Sequence, residues 1–172
     1  MLRKSIVALY IFICFVLQCT LFQSISFAGI VPNLLLILTA SFGFMRGEKE
    51  GIFIGFICGL LSDIFFGNMI GFYALILTYI GFINGKFYRI FYPEDIKLPL
   101  ALILSSDLTY GIICYILTFM LRGKFQFGYY LIHIILPEML YTIIASLAVY
   151  PVALLLNRFI ERLEGKEAYK FV

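Results

Sequence analysis

The chain has 172 residues, of which 63% are apolar and 13% charged, and a formal net charge of +3; its mean hydropathy is +1.03. Soluble domains carry about 25% charged residues, so this composition excludes a domain that faces water on all sides. Its length is better counted in membrane spans of about 20 apolar residues, each crossing roughly 30 Å of hydrocarbon.

The first apolar run covers residues 5–22 and follows Arg3 and Lys4. With the small-x-small pattern Ser26-Phe27-Ala28 behind it, the run also has features of a cleaved leader. It exceeds the apolar core of about 7–15 residues usual in leaders, and so reads as a retained span. Leu17-Gln18-Cys19 lies too deep in the run for a lipoprotein signal. The second run, 30–45, opens at Pro32-Asn33, with proline tolerated in a first helical turn. Runs 51–66 and 69–84 follow, separated by Gly67-Asn68, where a tight turn is wanted. These middle runs, near 16 residues each, give only about 24 Å of helix, a mismatch that bilayer thinning or partial re-entry absorbs.

The fifth run covers 98–121 and the sixth 129–156. The sixth would make roughly 42 Å of helix, more than the hydrocarbon requires. A break at Pro137 is therefore expected, leaving 129–136 in the outer interface with Tyr129 and Tyr130 in an aromatic belt. The fold expected is an all-α membrane protein: a compact bundle of six transmembrane helices over residues 1–157, with a short basic cytoplasmic tail at 158–172.

Loop cations orient such a bundle. With the N-terminus inside, Arg3, Lys4, Arg46, Lys49, Lys86, Arg89, Lys97, Arg158, Arg162, Lys166 and Lys170 are cytoplasmic, and only Arg122 and Lys124 fall outside. Eleven against two supports an even number of spans and both termini in the cytoplasm. The basic balance thus has a membrane explanation and calls for no nucleic acid. Residues 157–164, mixing both signs with apolar side chains, read as a solvated helix end or a segment lying along the anionic inner leaflet.

Candidates for chemistry are few. Cys14, Cys19, Cys58 and Cys114 all lie within spans without metal-ligand spacing and act as small apolar residues. His133 has no second histidine or cysteine near it in sequence to complete a zinc site and reads as an interfacial or packed side chain. No serine or cysteine has a recognisable nucleophile setting. No metal or cofactor is implied, and the chain reads as a non-enzyme. Three acids fall at membrane depth, Asp63, Asp107 and Glu138, each costing about 2.5–3.5 kcal/mol on insertion scales and each a functional candidate by default. Asp63 and Glu138 are placed towards the outer ends of their spans, where they share an outward-facing polar pocket or cap neighbouring helices. Gly51, Gly55 and Gly59 recur every four residues and Asp63 keeps the register. Such a ridge lets another backbone approach closely, within the chain or across a partner seam.

These residues bring a resemblance. Pro32-Asn33-Leu34-Leu35-Leu36, the stretch from Gly51 to Asp63, Gly67 and Gly71, Leu77-Thr78-Tyr79-Ile80-Gly81, and Pro137-Glu138-Met139-Leu140-Tyr141-Thr142 together resemble the rod shape-determining MreD family. That family commonly carries asparagine where Thr142 stands. The resemblance implies a non-enzymatic scaffold of the bacterial inner membrane that regulates cell shape and lateral peptidoglycan synthesis through protein contacts. The partners it implies are membrane lipids, a bitopic MreC-type protein, an actin-like MreB-type filament, and the elongation transpeptidase and glycosyltransferase. The residues singled out are Gly51, Gly55, Gly59 and Asp63 for helix packing or partner contact, and Pro32, Asn33, Pro137, Glu138 and Tyr141 for structure or an outer polar pocket. The family is also similar in fold to the membrane S-components of energy-coupling-factor transporters, which makes a vitamin-binding subunit the alternative. Such a subunit needs a small-residue docking face on its first span. Around Ala8, Tyr10, Phe12, Cys14 and Phe15 that span is bulky instead.

Overall fold

The helix Leu34–Arg46 is buried at every position from Leu34 to Met45, and the other long helices described are arranged around it. The computed structural model describes residues 2–20, 31–67, 70–90, 96–118 and 127–168. The pattern at 26–28, Asn68, Arg122, Lys124 and Lys170 lie outside them. In chain order the main helices are α1 (Leu2–Cys19), α2 (Leu34–Arg46), α3 (Glu48–Phe66), α4 (Phe72–Lys86), α5 (Lys97–Thr118) and α6 (Leu136–Ala168). A 3-10 turn, Phe87–Ile90, follows α4. One helical turn, Phe127–Tyr130, and a π-helical segment, Leu131–Ile135, lead into α6. There is no strand among the described residues.

A helix that is apolar on every side is a buried helix, and α2 is one: α1, α3, α4, α5 and α6 all touch it. Its 13 residues make only about 20 Å, short for a helix meeting lipid over its length but sufficient for one enclosed by others. Two stretches, Lys97–Thr118 and Gly128–Arg162, are long and apolar enough to cross a membrane by length and composition. The apolar helices Ser5–Cys19 and Leu34–Arg46 are shorter, and α3 carries Glu48 and Glu50 in its first turn.

Side-chain contacts fix which ends lie together. At one end the Arg46 Nε donates to Asn157 Oδ1 at 2.6 Å, and Asn157 Nδ2 donates to Glu161 at 2.9 Å. Gly85 lies against Glu48 there, and Val7 and Ala8 of α1 share a groove with Lys49 and Glu50. At the other end Gln18 of α1 accepts the Leu35 N–H at 3.3 Å. Midway, the Tyr10 hydroxyl ties α1 to α6 by donating to the Val149 carbonyl at 3.2 Å.

The structure departs from the sequence reading at both prolines. Pro32 stands two residues before α2, and Asn33 takes the N-cap, accepting the Leu36 N–H at 3.1 Å. The chain does not break at Pro137. Proline removes the bond to the carbonyl four residues back and crowds it. Here the preceding turn widens instead, the Leu136 N–H reaching the Leu131 carbonyl in π register. The helix then runs on through Pro137 and Pro151 to Ala168, passing residue 157 without interruption.

Candidate functional site

The tightest seam in the molecule joins α3 to α4. A Cβ placed on Gly51 would overlap the Gly81 carbonyl, one on Gly55 the Leu77 carbonyl, and one on Gly59 the backbone of Ala74. Gly81 is held reciprocally against Gly51. Where lipid removes any hydrophobic gain from helix association, such backbone-to-backbone packing is a main source of attraction. The ridge drifts by about 40° per four-residue step on a 3.6-residue helix, and α4 follows it from Gly81 through Leu77 to Ala74.

Asp63 closes this seam. It is 2% exposed, and both carboxylate oxygens are used by the start of α4. Oδ1 accepts the Tyr73 N–H at 2.7 Å; Oδ2 accepts those of Gly71 at 2.9 Å and Ala74 at 3.0 Å. The first N–H groups of a helix have no intrahelical partner, and in lipid each unsatisfied one costs several kcal/mol. A carboxylate at that end also meets the positive pole of the helix dipole. Gly71, at φ 101°, makes the left-handed turn that aims these donors back at α3. Asp63 therefore turns onto α4 rather than opening into a pocket shared with Glu138.

Glu138 has different company. It is half-buried, and Asp107, Tyr73, Tyr110, Tyr130 and Cys114 lie within electrostatic reach of its carboxyl group. The Tyr73 and Tyr110 rings lie 6.1 Å apart. Asp107 is 3% exposed, and neither of its oxygens has a hydrogen-bond partner among the described residues; the Thr142 side chain lies near its carboxyl group. Thr142 Oγ1 accepts the Asn33 N–H at 3.5 Å. The structure thus brings Asn33 to Thr142, and Glu138 to Asp107, between α2, α5 and α6. Pro137 and Tyr141 are half-buried, and it is Thr142, not Tyr141, that meets Asn33. Pro32 is buried beside it.

Most other buried hydroxyls are spent within their own helices. Thr39, Ser41, Ser62 and Thr78 donate to the carbonyl four residues earlier, at 2.6–3.1 Å. His133 is exposed, stacked on Tyr129 at 4.2 Å with its Nδ1 3.1 Å from the Tyr129 carbonyl. One polar pair was not singled out by the sequence reading: Asn84 of α4 donates from Nδ2 to Ser106 of α5 at 2.8 Å. The signal was available, since both are polar residues inside apolar runs.

Comparison with known proteins gives one family. A family model described as rod shape-determining protein MreD matches residues 1–160. No curated protein and no solved structure matches the chain. The match spans nearly the whole chain and agrees with the long apolar helices: this membrane protein belongs to the MreD family of rod shape-determining proteins.

Proposed function

We propose that the protein serves the rod-shape machinery as a multi-pass scaffold of the bacterial inner membrane, regulating lateral peptidoglycan synthesis through protein contacts and turning over no substrate. Membership of the family across residues 1–160 carries this reading. What the polar interior is used for supports it. Asp63 satisfies backbone donors of α4, Asn33 and Gln18 satisfy those of α2, and Arg46 is tied to Asn157. These groups hold helices in register, which a platform for other proteins requires.

The proposed orientation puts six spans across the membrane with both termini inside. It is supported by the gathering of Arg46, Lys49, Asn157 and the first turns of α1 at one end of the bundle. The proposed partners are a bitopic MreC-type protein, an actin-like MreB-type filament and the elongation transpeptidase and glycosyltransferase, with lipid around them. Depletion in a rod-shaped host tests the role. Rods should become round, and re-expression of the chain should restore them; rods that persist through depletion would contradict it.

A further inference from the structure

Asp107 stands at the midpoint of α5, and Glu138 lies in the first turn of α6. Both Asp107 oxygens are closed to solvent and have no hydrogen-bond partner among the described residues. Glu138 is half-buried, so the pair joins a sealed carboxyl group to one nearer the surface. Tyr110 and Cys114 of α5, Tyr73 of α4 and Tyr130 ahead of α6 stand around Glu138. Thr142 of α6 lies by Asp107 and meets the uncharged Asn33 of α2. Asp63 of α3 reaches Tyr73 but is taken up by the α4 backbone. No lysine or arginine among the described residues acts on either carboxyl group.

An ionised carboxylate buried without a cation or a donor costs far more than its neutral form, and a second carboxyl group nearby adds repulsion. With both Asp107 oxygens shut off, the neutralising partner that this packing admits is a proton. The backbone beside the pair is irregular as well. One turn beyond Asp107, Gly111 makes room for Ile135: a Cβ on Gly111 would lie 3.1 Å from that side chain. Ile135 ends the π-helical segment, and Glu138 follows three residues later. Single π-turns within α-helices occur frequently at functional sites. Here the widened turn, the glycine contact and the two acids form one joint between α5 and α6.

We propose that the Asp107–Glu138 pair is a proton-binding site that latches α5 to α6: with the proton bound the joint is closed, and ionisation of the pair loosens it at the π-turn. Proton binding goes beyond the scaffold reading and needs no protein partner. It makes helix packing respond to the acidity of the compartment that Glu138 faces. The folded pair takes up a proton that the same groups release when exposed to water, so stability falls as pH rises.

The test uses the full chain in mild detergent. Infrared spectroscopy should show the carbonyl band of a protonated carboxyl group at neutral pH. The band should fade as pH is raised and be absent when Asp107→Asn is combined with Glu138→Gln. Over the pH range of that loss, the ratio of unfolded to folded chain should rise about tenfold per pH unit, the slope of one proton. The double variant, whose amides keep the neutral shape, should lack this slope. Amide exchange across residues 131–142 should match the double variant where the band is full and outpace it, at equal pH, once the band is gone. The band and the slope are read on the unaltered chain, so they decide the matter even if the variant folds poorly. No protonated-carboxyl band at neutral pH would overturn the proposal, as would a band that survives in the double variant and so belongs to another acid. Exchange at 131–142 that never departs from the variant's would overturn the latch. Stability that follows sodium concentration instead of pH would give the pair to a metal cation and overturn the proposal too.

Discussion

Asp63 and Ala74 meet twice over: the carboxylate at the end of α3 accepts the Ala74 N–H at 3.0 Å, and one turn earlier Gly59 yields its side-chain space to the Ala74 backbone. One contact is polar and the other steric, and together they fix both the spacing and the register of the α3–α4 hairpin. Neither serves without the other. A bulky residue at 59 would push α4 away from the carboxylate, and loss of the carboxylate would leave the packed end of α4 with unpaired donors.

Asp63→Ala should therefore destabilise the protein. Three backbone donors lose a charged acceptor, and each buried donor left unsatisfied costs about 1–3 kcal/mol. Asp63→Asn, retaining one acceptor oxygen, should lose less. Thermal unfolding in mild detergent reads the order wild type, Asn, Ala. An Ala variant as heat-resistant as the wild type would show that the cap is dispensable.

Gly59→Leu and Gly81→Leu should each lower the amount of folded protein in the membrane, because the added side chain falls on backbone that cannot move aside. Overpacking costs about 1–3 kcal/mol and more where the backbone itself must shift. Gly128→Leu, where nothing lies within 4 Å, is the control and should accumulate normally. Normal abundance and full rod-shape complementation by Gly59→Leu would exclude the seam.

Asp107 calls for the opposite expectation. Among the described residues its oxygens have no hydrogen-bond partner, and exchanging an unpaired buried carboxyl group for a neutral amide of the same shape removes the cost of burying a charge. Asp107→Asn should match or exceed wild-type thermal stability. If Asp107→Asn instead unfolds readily, the carboxyl group has a structural partner that this arrangement does not contain.

The proposed orientation makes a labelling prediction. In a variant lacking Cys14, Cys19, Cys58 and Cys114, a single cysteine at position 26 or 124 should react with an impermeant thiol reagent in intact cells. One at position 49 or 166 should not. Reaction at 166 before lysis would overturn the six-span arrangement.

Parts of this molecule are written locally in the sequence. Asn33 before an apolar run is a legible helix start, because its side chain can reach only the first N–H groups that follow. Glycine at four-residue spacing says that a backbone can approach α3. It does not say whose, since the approaching carbonyls of Leu77 and Gly81 lie beyond the next turn. For the same reason an acid at membrane depth could be recognised at Asp63, whereas its partners, the N–H groups of Gly71, Tyr73 and Ala74, could not. The central place of α2 was hidden because a helix apolar on all sides reads the same whether lipid or protein surrounds it. At Pro137 the sequence states only that one backbone bond is lost. That a π-turn over Leu131–Ile135 would absorb the loss, keeping the helix continuous, depends on packing around Ile135 and Gly111.

As the proposed scaffold, this chain works by holding other proteins and not by binding a small substrate. Its most direct test is purification of the chain from native membranes in mild detergent, set beside binding measurements with small vitamins on the isolated protein. The bitopic and wall-synthesis partners should stay with the chain in defined proportion, and no vitamin should bind. Tight, stoichiometric binding of a vitamin, with no elongation protein retained, would contradict it.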